Sequence, residues 1–376
     1  MKFTRRELEK ILAVFKIASD SHANRPHHSR IRIRVSERTT VFSMLSSLGM
    51  SVYKLPRGST EVFTGIYDIH QLSAYVSTIE DKNGEINIEK GSITLDGTDN
   101  TYTINPFLMK ITSEEVFYEL IDSQKAIQEE RIVNFESVLM AKRYCGPSIP
   151  GFNLVGVYPG GKIVASDKRA AVVIASDNKV SSPVFLSEAL IDVIDTCRPE
   201  LEPRKKQDYV DIKKYLDREK KEFYYVEIAG FEFFSTLIPV GLTNPEVSHG
   251  HAYNHPYSVT VNAKLLGKVL ERTMIAAIAN NDSKIYLQVG SDGLIVENRN
   301  TKTGKSQDKI AIVHSDKQIE GKLLAINCNM LRKIVKGCES YIKNDVIKFF
   351  ISDGAMSLIK IQPEDDTIIF ITGLVK

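Results

Sequence analysis

One hydrophobic phrase recurs along the chain: an apolar residue, four positions, a leucine, three positions, an aliphatic residue. It occurs as Tyr67-Leu72-Val76, as Phe185-Leu190-Ile194 and as Ile326-Leu331-Val335. The i, i+4 apolar pair predicts a short amphipathic helix, and the leading residue predicts the strand that feeds it. A second set lies upstream of each copy. Phe3-Leu8-Leu12 and Val261-Leu266-Leu270 keep the spacing, while Val133-Val138 ends on Lys142. Any amphipathic helix produces such a pair, but six in alternating order make a repeat. Leu72, Leu190 and Leu331 stand a domain's length apart, not the roughly 20–50 residues of a solenoid unit. The pattern predicts three modules, each made of two strand-helix half-units.

Alternating segments follow every helix. The stretches 85–107, 222–241 and 345–374 read as strands, with turns at Asp96-Gly97, Gly230, Asp353-Gly354 and Asp365-Asp366. Asp-Gly between alternating runs is a hairpin signal. Two helices and about eight strands per module make an α+β fold of helices packed on antiparallel sheets. The modules are expected at 1–115, 125–245 and 256–376. The polar stretch 112–130 and the Pro/Asn/Gly/His-rich stretch 243–258 read as linkers. The charged stretch 198–222 reads as a solvated insertion, with room for one surface helix.

Composition narrows the class. Of 376 residues, 43% are hydrophobic and 26% charged, which excludes a disordered or fibrous chain. The net charge of +2 does not by itself announce a nucleic-acid binder, so the placement of charge decides that question. No apolar run could span a bilayer, and MKFTRRELEKILAVF lacks the apolar core of a signal peptide. Cys145, Cys197, Cys328 and Cys338 form no C-x-x-C pair and read as reduced thiols of a cytoplasmic protein. His249, His251 and His255 have a spacing that could ligate metal, but they stand in a linker without cysteine, so no metal is expected. Gly160-Gly161-Lys162 lacks the spacing of a phosphate loop and reads as a turn. No Ser/His/Asp or Cys/His set suggests catalysis, and no cofactor is implied.

The helix faces carry the informative charge. The first helix turns Leu8, Ile11, Leu12 and Phe15 inward and displays Arg5, Arg6 and Lys10. Lys142 and Arg143 close another helix. Lys264, Lys268 and Arg272 recur at i, i+4, i+8 opposite the stripe Leu265, Leu266, Val269, Leu270. Arg332, Lys333 and Lys336 lie away from Leu331, Ile334 and Val335. The helix with Glu188, Asp192 and Asp195 and the one near Asp68 and His70 break the pattern. A basic face is usually a solvated one; four in a repeated architecture suggest one surface facing phosphates.

The order, number and spacing of these half-units resemble the bacterial β-type DNA sliding clamp, over nearly the whole chain. The opening MKFTRRELEKILAVFKIAS, the hairpin VYPGGKIVASDKRAAVVIAS and the closing LLAINCNMLRKIVKGCESYIKNDVIKFFISDGAMSLIKIQPEDDTIIFITGLVK are similar to the corresponding clamp segments. The resemblance implies a processivity factor, not an enzyme, closing into a ring as a head-to-tail homodimer with helices inward. Double-stranded DNA, a DNA polymerase and a clamp loader are the implied partners. The basic residues named above would line the hole. A peptide pocket would be formed by Ser166, Lys168, Arg169 and Ala171, by Ile238 and Pro245, and by Thr372, Gly373 and Leu374. Two segments depart from the family pattern. Ala165-Ser166-Asp167-Lys168-Arg169-Ala170 replaces its Gly-His-Arg-Leu run, and the chain ends Ile371-Thr372-Gly373-Leu374-Val375-Lys376 instead of in a Met/Pro tail. Such divergence would suit a phage-encoded member acting in an infected cell. Two rival readings remain open at this point: a metal-dependent nuclease built from repeated modules, and a scaffold that forms no ring.

Overall fold

The structure is a computed structural model. It describes residues 2–19, 26–79, 85–89, 92–96, 101–107, 112–146, 152–202, 205–236, 242, 254–279, 283–299, 306–339, 345–352, 358–364 and 368–374. The chain forms two compact units, Met1–Phe135 with Ser187–Ile238, and Glu136–Leu186 with Pro239–Lys376.

The first unit opens with β1 (Lys2–Thr4), α1 (Arg5–Ala18), β2 (Arg30–Val35), β3 (Thr40–Ser46) and β4 (Gly49–Leu55). It continues with β5 (Phe63–Asp68), α2 (Ile69–Ser77), β6 (Glu85–Glu89), β7 (Ser92–Asp96) and β8 (Thr101–Ile104). After α3 (Glu115–Asp122) come β9 (Gln128–Val133) and the start of α4 (Phe135–Lys142). The chain returns to this unit as α5 (Glu188–Cys197), β14 (Glu200–Glu202), β15 (Lys205–Lys206), β16 (Tyr209–Leu216), β17 (Glu222–Ile228) and β18 (Phe231–Thr236). The strands form one sheet in the order β1-β6-β7-β8, one in the order β5-β2-β3-β4-β18-β17-β16-β9, and the ribbon β14-β15.

The second unit holds the rest of α4, then β10 (Leu154–Tyr158), β11 (Lys162–Ser166), β12 (Ala170–Ala175) and β13 (Val184–Ser187). It resumes with β19 (Tyr257–Asn262), α6 (Ala263–Ala279), β20 (Lys284–Val289), β21 (Gly293–Asn298) and β22 (Ser306–Ser315). It closes with β23 (Leu323–Asn327), α7 (Cys328–Glu339), β24 (Val346–Ile351), β25 (Leu358–Pro363) and β26 (Ile368–Gly373). Its strands make one sheet, β13-β10-β11-β12-β26-β25-β24-β19-β22-β21-β20-β23.

One pairing rule generates these orders three times. Each half-unit is a strand, a helix and three sheet strands, with the ribbon β14-β15 added after α5, and its first strand leaves to pair with the other half. Thus β1 joins β6-β7-β8, while β5 joins β2-β3-β4. Likewise β9 joins β16-β17-β18, and β13 joins β10-β11-β12. Finally β19 joins β24-β25-β26, and β23 joins β20-β21-β22. Successive repeats are then seamed by the last strand of one half against the last strand of the next repeat's other half. The seams are β4 with β18, Tyr53 opposite Phe231, and β12 with β26, Val172 opposite Phe370.

The helix starts are as regular as the pairing. Thr4, Asp68, Ser187, Asn262 and Asn327 each accept the backbone N–H three residues on, satisfying donors that a helix start leaves open. Four residues after each cap comes a buried aliphatic residue: Leu8, Leu72, Ile191, Leu266, Leu331. This corrects the repeat register in α5. The cap places Leu186 and Ile191, not Phe185 and Leu190, in the shared positions. The ambiguity arose because Leu190, Ile191 and Ile194 are all buried. At Ala229-Gly230 both residues have positive φ, the geometry of a two-residue hairpin turn.

One linker expectation and the reading of the insertion are revised. The stretch 112–130 contains α3, which lays Phe117, Tyr118, Leu120 and Ile121 on a cluster of Val41, Met50, Val52, Phe223 and Phe234. The stretch 198–222, expected as a solvated insertion with room for a surface helix, holds no helix beyond the end of α5 among its described residues but carries β14, β15 and β16: Val210, Ile212 and Tyr215 of β16 are buried, and Lys213 and Lys214 lie over Glu129 and Glu222. The mixed charges stay at the surface, as expected, but several pair across strands. Among the described residues, no helix is long and apolar enough to cross a membrane.

Candidate functional site

The basic helix residues separate into open and committed groups. On α1, Arg6 and Lys10 are exposed and meet no carboxylate among the described residues. Arg5 is tied down, 2.7 Å from Glu9 and donating to the carbonyl of Ile79. Beyond α4, Arg143 is exposed, while Lys142 is half-buried. On α6, Lys268 is open, but Lys264 lies 2.8 Å from Asp345 and Arg272 lies 2.7 Å from Asp308. On α7, Arg332 and Lys336 share Glu271 at 3.4 and 3.8 Å. Lys333 turns elsewhere, its ammonium 4.7 Å from the centre of the Tyr144 ring. The basic faces therefore exist, but internal acids offset much of their charge.

The second unit contains a cavity of about 570 Å³. One wall is the tight turn between β11 and β12, carrying Lys168 and Arg169. Asp167 Oδ1 accepts the N–H groups of Arg169 and Ala170 at 2.9 and 2.8 Å, and Lys168 takes φ 69°. The end of β26 supplies Thr372, Gly373 and Leu374. Gly373 N–H and Thr372 Oγ1 donate to the Arg169 carbonyl at 3.0 and 3.3 Å, locking the two walls together. The β25–β26 register sets Leu358 opposite Gly373.

The remaining wall comes from the β23–α7 junction: Asn327, Asn329, Met330 and Lys333, with Ser283 beside them. Asn327 caps α7 and donates to Ser283 Oγ at 2.7 Å, so this wall is braced by its own hydrogen bonds. Five residues expected from the sequence, Lys168, Arg169, Thr372, Gly373 and Leu374, meet at this cavity. Ser166 and Ala171 are buried behind it in the β11–β12 pairing. Ile238 and Pro245 lie outside the described residues, as do His249 and His251; His255 is described and faces the Leu358 carbonyl at 3.1 Å. Sequence reasoning missed Ser283, Asn327, Asn329, Met330 and Leu358 and assigned Lys333 elsewhere. The cap position of Asn327, equivalent to Asp68 and Ser187, was the available signal. Among the described residues, no group of three or more His, Cys, Asp or Glu side chains is gathered as a metal site requires.

Two last strands of half-units, β8 and β22, have no seam partner among the described residues. β8 ends its sheet, followed by the half-exposed Phe107 under the Arg30 guanidinium. β22 bends: Ser306–Ala311 pairs with β21 on one side only, and Ile312–Ser315 crosses to β19. Arg272 ties α6 to that open segment through Asp308, and Ile275, one turn further, is 72% exposed.

No protein-family model and no curated protein matches the sequence. Solved structures do. The chain aligns over its full length with the DNA polymerase III beta subunit of Thermotoga maritima, at 13% identity, 98% of that chain and TM-score 0.77. The Pseudomonas aeruginosa DNA polymerase III subunit beta is 14% identical, with 99% covered and TM-score 0.74. A DNA polymerase sliding clamp from Caulobacter crescentus is 12% identical, with 99% covered and TM-score 0.75. The protein has the α+β fold of these clamps.

Proposed function

We propose that this chain is a DNA sliding clamp: a non-enzymatic ring that encircles duplex DNA and tethers a DNA polymerase. The observation that carries the reading is the unfinished seam. β4 pairs with β18 and β12 with β26; the same rule, applied once more, joins β22 to a β8. Supplied by a second copy, that β8 closes a head-to-tail homodimer, with Ile275 and Phe107 beside the joint. The working modules are then 1–115, 125–245 and 256–376, and the basic faces of α1, α4, α6 and α7 line the hole. Contacts there are to phosphate, so binding ignores base sequence. The cavity receives a peptide of the polymerase or of a clamp loader, in a bacterial or phage-infected cytoplasm.

The test is topological. The purified protein should have twice the 42.2 kDa chain mass in light scattering. Loaded on DNA, it should stay on a closed circular duplex and run off a linear one with free ends. Equal retention on both would remove the clamp reading.

A further inference from the structure

Resting on the reading of β8 as the edge that joins a second copy, we infer that the three arginines of β2 are positioning residues that set this edge before the partner arrives. In Arg30-Ile31-Arg32-Ile33-Arg34-Val35 the aliphatic side chains are buried, and the arginines stand on the opposite face, two residues apart. All three hold the segment that leaves β8. The Arg30 guanidinium lies 3.9 Å from the centre of the Phe107 ring and is itself fixed by Asp68 at 2.7 Å. Phe107 N–H donates to the Ile66 carbonyl at 2.8 Å, and Ser92 Oγ donates to Asn105 Oδ1 at 3.0 Å. Further on, Arg32 and Arg34 converge on the buried Glu114, and Arg34 also reaches Glu115 at 2.8 Å. Such a group favours position over strength. A buried ionic cluster adds little net stability, because desolvation offsets its attraction, but it excludes any course of the chain that leaves a charge unmatched. The strand so placed is four residues long and ends its sheet, and a short terminal strand frays unless its exit is tied. Ordering a frayed edge at the moment of association is subtracted from affinity. The arginine ladder orders β8 during folding, so association does not have to.

Sedimentation equilibrium on the full chain separates positioning from plain stabilisation. Arg30→Gln removes the cation over Phe107 and leaves the sequences of β8 and β22 untouched. It should raise the dissociation constant of the dimer about tenfold, while the urea midpoint, read below that constant, barely moves. In the same dilute chain, amide exchange over Thr101 to Ile104 should quicken by a similar factor. Arg30→Lys, which keeps a cation in place, should restore most of both. The same split should appear, smaller, in Arg34→Gln, which does not touch Phe107. Arg131→Gln, at an exposed pair with Asp211 in the same unit, should change neither reading. A dissociation constant unmoved by Arg30→Gln and Arg34→Gln, with or without a lower urea midpoint, would reduce the ladder to a structural feature and overturn the inference while sparing the ring. A wild-type chain that stays monomeric at every concentration would instead remove the ring, and the inference with it.

Discussion

Glu114 is completely buried, and its charge is matched by side chains instead of water. It accepts from Arg34 at 2.8 Å, from Arg32 at 3.2 Å and from Ser43 Oγ at 3.0 Å, fastening the start of α3 to β2 and β3. Removing one member of a buried ionic group leaves the others uncompensated. Glu114→Gln should therefore cost about 3 kcal/mol, read as a lower urea midpoint at unchanged slope. Arg218→Gln, at a fully exposed pair with Glu119, should change nothing measurable. The cysteines give a second residue-scale test. All four are buried as free thiols, and burial pushes Cys328 up from 9.0 to about 11, with Cys197 and Cys338 also raised. An unfolded thiol loses its proton above about pH 9 while the folded one keeps it, so the unfolded state then binds fewer protons. Stability should hold below pH 9 and fall as pH rises toward 11. Cys328→Ala should flatten part of that decline, and a thiol reagent at pH 8 should label no cysteine until denaturant is added.

At the scale of elements, α6 carries the sharpest test of the proposed DNA contact. Lys264 and Arg272 already face Asp345 and Asp308, whereas Lys268 faces none among the described residues. Lys268→Ala should weaken DNA binding more than Lys264→Ala does. The slope of log affinity against log salt should shrink by roughly 0.9 for each phosphate that the variant no longer neutralises. Asp345→Asn should tighten binding by freeing Lys264, an outcome that a purely structural role for the pair would not give. The helices themselves were legible in the sequence, because a polar cap and an i, i+4 apolar pair are local signals. The register of α5 was not, since Leu190 and Ile191 are adjacent aliphatic residues and the third position of the cap register is Asp195. α3 was hidden because its polar stretch is anchored by Glu114, whose partners lie far away in the chain. β16 was hidden because Lys213 and Lys214 find acids only across strands. Similarly, Lys168, Arg169 and the segment Thr372 to Leu374 were legible through a resemblance, whereas Asn329, Met330 and Leu358 carry no chemistry that singles them out before the fold assembles them.

At the scale of the whole molecule, the proposed homodimer joins at the open ends of the repeat. Ile275 is far more exposed than a structural isoleucine should be, and Phe107 beside β8 is half-exposed under Arg30. Replacing Ile275 by Asp should leave the folded chain nearly as stable as before, because most of that side chain is exposed. It should weaken the dimer at least tenfold, about 1.4 kcal/mol, in sedimentation at micromolar concentration. Unchanged mass would place the joint elsewhere. The exchange of first strands between half-units also governs how the protein is born. When the ribosome has released the chain as far as Leu55, β1 still lacks β6 and β2 still lacks β5. Those vacancies fill once Ile104 emerges, but β4 waits for Phe231 to Thr236. At roughly 5–20 residues per second, its edge stays bare for on the order of 10–40 s. A bare edge recruits any neighbouring strand, and on a crowded polysome that neighbour is another unfinished copy of the same chain. Expression should thus depend on chaperone occupancy at the tunnel exit, and slowing translation between residues 55 and 231 should lower soluble yield.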